Sequence, residues 1–128
     1  MATMNVELVA PDRIVWSGEA EMVIARTTEG DIGILPRHEP LLGVLVESPV
    51  RIKRAEEDEL VVAVLGGFLS VTPESVSILA ESVETPDEID AGAARQELEQ
   101  ARSGDDDDES KAAIRRATAR LRTVGESV

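Results

Sequence analysis

The chain has 128 residues, enough for one domain of moderate size or for a compact domain with a small appendage. Its 26 acidic residues against 13 basic ones give a formal charge of -13, which repels phosphate backbones and acidic lipid surfaces and argues against general nucleic-acid binding. Cysteine is absent, which excludes disulfide and thiol chemistry, and with aromatic residues at 2% any core has to be aliphatic.

The N-terminal segment lacks the basic stretch and apolar run of a secretory signal, so no export signal is expected. Val6, Leu8 and Ala10 alternate with polar neighbours as in a strand, and Pro11-Asp12 supplies a turn. A short strand is expected around Ile14 to Trp16, ending at Ser17-Gly18, and another from Glu19 to Thr27. The stretch "EGDIGILPRHEPLL", Glu29 to Leu42, has the apolar residues of a buried strand but is interrupted by Gly30, Gly33, Pro36 and Pro40, so it reads as a shaped tip rather than a regular ladder. Strands follow at Gly43 to Glu47, around Val50 to Arg54, at Leu60 to Leu65, at Phe68 to Val71 and at Val76 to Ala80. Leu60 to Val71 is mostly apolar over 12 residues, short of the roughly 20 that a bilayer-crossing helix needs, so direct membrane insertion is not expected. The density of short alternating segments predicts an antiparallel β-sandwich or barrel.

The pattern changes at residue 85, giving a β domain at 1–85 and a helical hairpin at 86–128. Thr85, Pro86 and Glu88 read as the cap, first position and third position of a helix that ends near Ser103-Gly104. The acidic run Asp105 to Asp108 reads as a turn into a second helix, in which Ile114, Ala117, Leu121 and Val124 form one apolar stripe. Isolated helices of about this length are marginal in water, so the hairpin needs a surface to dock on, either its own sandwich or another protein. Lys111, Arg115, Arg116, Arg120 and Arg122 put five cations within 12 residues that contain no acid. A solvated face, an acidic protein partner and nucleotide phosphates all fit that pattern.

Catalytic signals are absent. There is no phosphate loop, the glycines do not make a dinucleotide fingerprint, and a single histidine, His38, makes neither a zinc site nor a supported nucleophile. The aspartate run lacks the alternating ligands of a calcium loop. No catalytic residue and no metal site are assigned.

Four phrases in order carry a resemblance: "NVELVAPDRIVWSGEAEMV", "TTEGDIGILPRHEPLLGVL", "GGFLSVTPESVSILAESV" and "EIDAGAAR". Together they resemble, over nearly the whole chain, the epsilon-subunit family of F-type ATP synthases, equivalent to delta in mitochondria. The resemblance implies a flattened β-sandwich of about ten strands with a C-terminal helical hairpin. It further implies a non-catalytic central-stalk rotor subunit that joins gamma to the polar loops of the c-ring, peripheral at the cytoplasmic face of the bacterial plasma membrane. Glu29, Gly30 and Asp31 correspond to the tip facing the c-ring loops, and His38, Pro40, Leu41 and Leu42 to the surface beside gamma. The family's hairpin lies compact or extends toward the alpha and beta subunits to restrain ATP hydrolysis, with Lys111, Arg115 and Arg122 on the side that would meet an acidic element there. No cofactor is required. Asp90, Arg116 and Arg120 match positions that hold ATP in nucleotide-binding members, which implies weak ATP binding, but the motif arginine is Ala93 here. Loss of that charged donor removes about 1.5–3 kcal/mol of contact. Arg95 stands two positions on, about 200° around a helix, and does not replace it.

Overall fold

The computed structural model describes residues 2–128. Nine strands come first: β1 (Met4–Ala10), β2 (Arg13–Thr27), β3 (Gly30–Ile34), β4 (Leu41–Leu45), β5 (Ser48–Arg54), β6 (Leu60–Val64), β7 (Gly67–Val71), β8 (Ser75–Ala80) and β9 (Val83–Glu84). A single 3-10 turn, Pro86–Glu88, leads to helices α1 (Ala91–Ser103) and α2 (Asp108–Thr123).

The long strand β2 organises the sandwich by serving both layers. Its first half pairs with β1, and β1 runs on through β8 and β7 to β4. Its second half pairs with β3 and with β5, which continues through β6 to β9. Counting β2 once in each layer, the fold is two five-stranded layers, and every ladder is antiparallel except β1 with β8. Side chains alternate across each strand, so Val6, Leu8, Val23, Ile34, Ile52, Val62, Leu69 and Ile78 meet between the layers as the aliphatic core that the composition demands.

Three local expectations change. Ser17-Gly18 does not end a strand: Gly18 stays in register opposite Val6, and the Trp16 ring lies over it so closely that a Cβ there would sit 2.7 Å from the indole. Glu29 to Leu42 is not irregular throughout, because Gly30–Ile34 forms a full ladder with Val23–Thr27, and Pro36 and Pro40 fall in the loop beyond it. The first α-helix begins at Ala91 rather than Pro86. Glu88 accepts the Thr85 backbone N–H at 2.9 Å, completing the capping contact for the 3-10 turn, but Ile89 then returns to extended backbone and Asp90 caps α1.

The helices form a hairpin with its own small core of Ala94, Leu98, Ala117 and Leu121. Helix α2 packs on the outer face of β5 and β6. One layer of the sandwich therefore has its outer face covered by the chain itself, and the other does not.

Candidate partner-binding surfaces

The uncovered outer face belongs to β4, β7, β8, β1 and the start of β2. Cross-strand register aligns Val44 with Phe68, Phe68 with Leu79, Leu79 with Val9, and Val9 with Ile14. The result is an apolar row across five strands. Phe68, the only phenylalanine in the chain, is 58% exposed and Ile14 is 64% exposed. The next row is Leu42, Ser70, Ser77, Glu7 and Ser17, flat and polar except for Leu42, which is 82% exposed. A contiguous apolar stripe with a small polar flank is the pattern of a protein-binding surface rather than of a solvated sheet.

Beside this row stands the β2–β3 tip. Thr27 Oγ1 accepts the Glu29 backbone N–H at 3.1 Å, and Gly30 takes a φ of 114°, a conformation that favours glycine. Arg26 Nε donates to Asp31 at 2.6 Å, and this bond holds the Asp31 carboxyl below its ordinary range. The tip and the near end of the apolar row share a groove of about 710 Å³, lined by Glu29, Asp31, Leu42, Val44 and Phe68 among others. Glu29, Gly30, Asp31 and Leu42 are thus brought together on one surface.

The remaining predicted contacts separate. Leu41 points opposite to Leu42 and packs partly buried against the sandwich core, although it also borders the groove. Pro40 is exposed in the loop. The half-buried His38 places Nδ1 2.7 Å from the carbonyl oxygen of Glu39, and its backbone N–H donates to Leu35. Arg37 adopts a positive φ of 68° and is tied by its N–H to the carbonyl of Pro73 at 2.9 Å, so the loop is anchored to the β7–β8 turn.

In the hairpin, the basic face is largely engaged by acids of the same chain. Arg120 donates to both oxygens of Glu84 at 2.8 and 2.9 Å and to Glu97 at 3.1 Å, and the Glu84 contacts raise the guanidinium's already high pKa. Arg115 donates to Glu47 at 3.0 Å, Arg116 to Glu109 at 3.3 Å, and Lys111 lies 3.8 Å from Asp106. Arg122 lines the cleft that also holds Arg26 and Asp31, where its charge favours the ionised Asp31. Asp90 accepts the Ala93 N–H at 3.0 Å as the α1 cap. Each group proposed from sequence for ATP therefore has a structural partner in this conformation.

Sequence reasoning missed the apolar row and the glutamates at 47, 84 and 97. A signal for the first was present: Phe68 shares a strand face with Ser70, and Leu79 with Ser77, which places both on the side opposite Leu69 and Ile78. Among the described residues no group of three His, Asp or Glu is arranged to hold a metal ion, and no helix is long and apolar enough to cross a membrane.

Residues 3–86 match the model of the beta-sandwich domain of the ATP synthase delta/epsilon chain. The ATP synthase epsilon chain of Streptomyces avermitilis is 53% identical over 123 residues, covering 96% of each chain. That of Mycobacterium avium is 56% identical over 126 residues, covering 98% of each. Among solved structures, a chain of the Euglena gracilis mitochondrial ATP synthase superposes with a TM-score of 0.83 at 22% identity, covering 95% of this chain and 81% of that one. A chain from the central stalk and c-ring structure of the Tetrahymena thermophila mitochondrial enzyme gives 0.62 at 21% identity, covering 94% of this chain and 90% of that one. At these identities the two structures speak for the fold.

Proposed function

This chain belongs to the ATP synthase delta/epsilon family, and from that membership we propose that it is a central-stalk subunit of a bacterial proton-translocating F-type enzyme. It rides between the gamma shaft and the c-ring, peripheral to the membrane on the cytoplasmic side, and performs no catalysis itself. The observation that carries this reading is the apolar row on the uncovered layer. A chain of charge -13 that leaves its only phenylalanine and several aliphatic residues on one open face has built a surface for a partner.

In this reading the row from Val44 to Ile14, with Leu42, seats gamma, and the adjoining tip of Glu29, Gly30 and Asp31 meets the polar loops of the c-ring. The shared groove makes one continuous contact from shaft to ring. His38 and Pro40 stand in the loop that leads into β4. The hairpin restrains ATP hydrolysis when it leaves the sandwich and presents Lys111, Arg115 and Arg122 to the alpha and beta subunits. ATP is not required, and nucleotide sensing is the weaker reading because Arg120 and Asp90 are already engaged within the chain.

Affinity measurement with purified gamma tests the assignment. Saturable binding that is lost when Phe68 and Leu42 are both changed to serine is expected. No association between the folded chain and gamma would overturn it. For the hairpin, hydrolysis by the assembled enzyme is expected to rise when residues 86–128 are removed.

A further inference from the structure

The hairpin and the sandwich keep separate apolar cores. Ala94, Leu98, Ala117 and Leu121 are shared between α1 and α2, while none of the sandwich core residues comes from either helix. In the seam between α2 and the sheet the fully buried residues are small, with Pro49 and Val61 half-buried beside them on the same outer face. Ala119 and Thr123 are buried on α2 yet belong to neither core. Across from them, Ala63 on the outer face of β6 is fully buried and also absent from the sandwich core.

Such a seam allows close approach but little apolar gain. Burial stabilises in proportion to the area removed from water, and alanine contributes little of it. The strong contacts lie on the two flanks. Arg115 and Arg120 are five positions apart, about 140° around the helix, with Ala119 and Thr123 between them. Arg115 reaches Glu47 in the β4–β5 connection at 3.0 Å. On the other flank, Arg120 forms the two-pronged bond to Glu84 of β9, with both side chains about three-quarters buried, and reaches Glu97 of α1 as well.

We propose that a two-point ionic latch, Arg115 to Glu47 and Arg120 to Glu84, holds the hairpin on the sandwich, so that ionic strength and these two glutamates set how often it lifts off. The latch rests on the reading of the hairpin as a movable element. It takes the place of a bound ligand: the arginine that would meet nucleotide phosphates is neutralised by carboxylates of its own chain. When the latch opens, the hairpin departs with its own core intact, uncovering Ala119 and Thr123 on its side and Ala63, with Pro49 and Val61 beside it, on the sheet.

Because the chain has no cysteine, Ser82→Cys with Ser103→Cys gives two clean labelling positions, one on the sandwich and one at the end of α1. Pulsed electron-spin distance measurement on the full chain then reads docked and lifted populations. Glu84→Gln, which removes a largely buried charged pair, is expected to raise the lifted fraction about tenfold. Glu47→Gln, whose partner is half exposed, should raise it about twofold to threefold. The two together give roughly twentyfold to thirtyfold. Raising salt from 50 mM to 1 M, where the screening length falls to about 3 Å, should shift the wild type in the same direction. Exchanging the charges, Glu47→Arg with Arg115→Glu, should restore docking that Arg115→Glu alone weakens. Circular dichroism should retain the helical signal throughout.

A single distance, unchanged in the double glutamine variant and at 1 M salt, would overturn the latch. So would failure of the charge exchange to rescue docking in a folded chain. Binding to gamma is a separate measurement: its absence would overturn the rotor reading, whereas the latch is decided on the isolated chain.

Discussion

Leu42→Ala tests the open face with the least disturbance to the fold. Leu42 is 82% exposed in the free chain, so its side chain contributes little to folding and nearly all of it is available to a partner. The substitution removes three carbons, worth about 0.8 kcal/mol each when buried, or about 2.4 kcal/mol. Scaling by the 82% that is accessible leaves about 2 kcal/mol, close to a thirtyfold loss of affinity for gamma. Isothermal calorimetry with purified gamma measures the loss, and thermal unfolding of the isolated variant should move by no more than about 2 °C. An unchanged affinity in a folded variant would refute the placement of Leu42 in the gamma contact. A large fall in melting temperature would refute the claim that the residue is free of the fold.

Three further outcomes follow from local geometry. Gly67→Ala should destabilise the sandwich by roughly 3 kcal/mol or more, since position 67 has a φ of 138° and a Cβ there would collide with the Leu79 carbonyl oxygen; denaturant unfolding measures it. Asp90→Ala should cost about 1 kcal/mol of α1 stability by freeing the Ala93 N–H, seen as faster amide exchange in the first turn of α1 with the sandwich unchanged. Asp31 has a folded-state pKa lowered chiefly by its bond from Arg26, so its contribution is present above the unfolded-state value and disappears as pH falls through the folded one. Carboxyl NMR should place its midpoint below that of an ordinary aspartate, and Arg26→Gln should return it to the ordinary range.

The sandwich was legible because alternation with a period of two survives in Val6 to Ala10, Val50 to Arg54 and Val76 to Ala80. What local pattern does not encode is that one strand serves two layers: Ser17-Gly18 has the chemistry of a turn, yet the pairing with β1 carries β2 straight through it. The helix start was misplaced for a related reason. Two capping signals stand in tandem, Thr85 with Glu88 and then Asp90, and the first is used by a single 3-10 turn. Glycine and proline chemistry marked Glu29 to Leu42 as a shaped stretch, and it was the family resemblance that placed the tip at Glu29 to Asp31. The partners of Arg115 and Arg120 were not, because Glu47 and Glu84 lie 68 and 36 residues away and only the folded sheet brings them to α2.

The two outer faces of the sandwich differ in the size of the side chains they offer, and that difference bears on how long each contact should last. The open layer presents leucine, valine, isoleucine and phenylalanine, whose burial is worth about 1.5–3 kcal/mol apiece when complete. A partner seated there would be released slowly. The residues fully buried between the covered layer and α2 are alanine and threonine, set between two arginine–carboxylate contacts. Ion pairs at a partly wetted seam exchange with water and salt at modest cost, so the same chain can hold one partner firmly while its own hairpin remains free to leave. Filling the seam with apolar bulk would strengthen docking but remove that freedom.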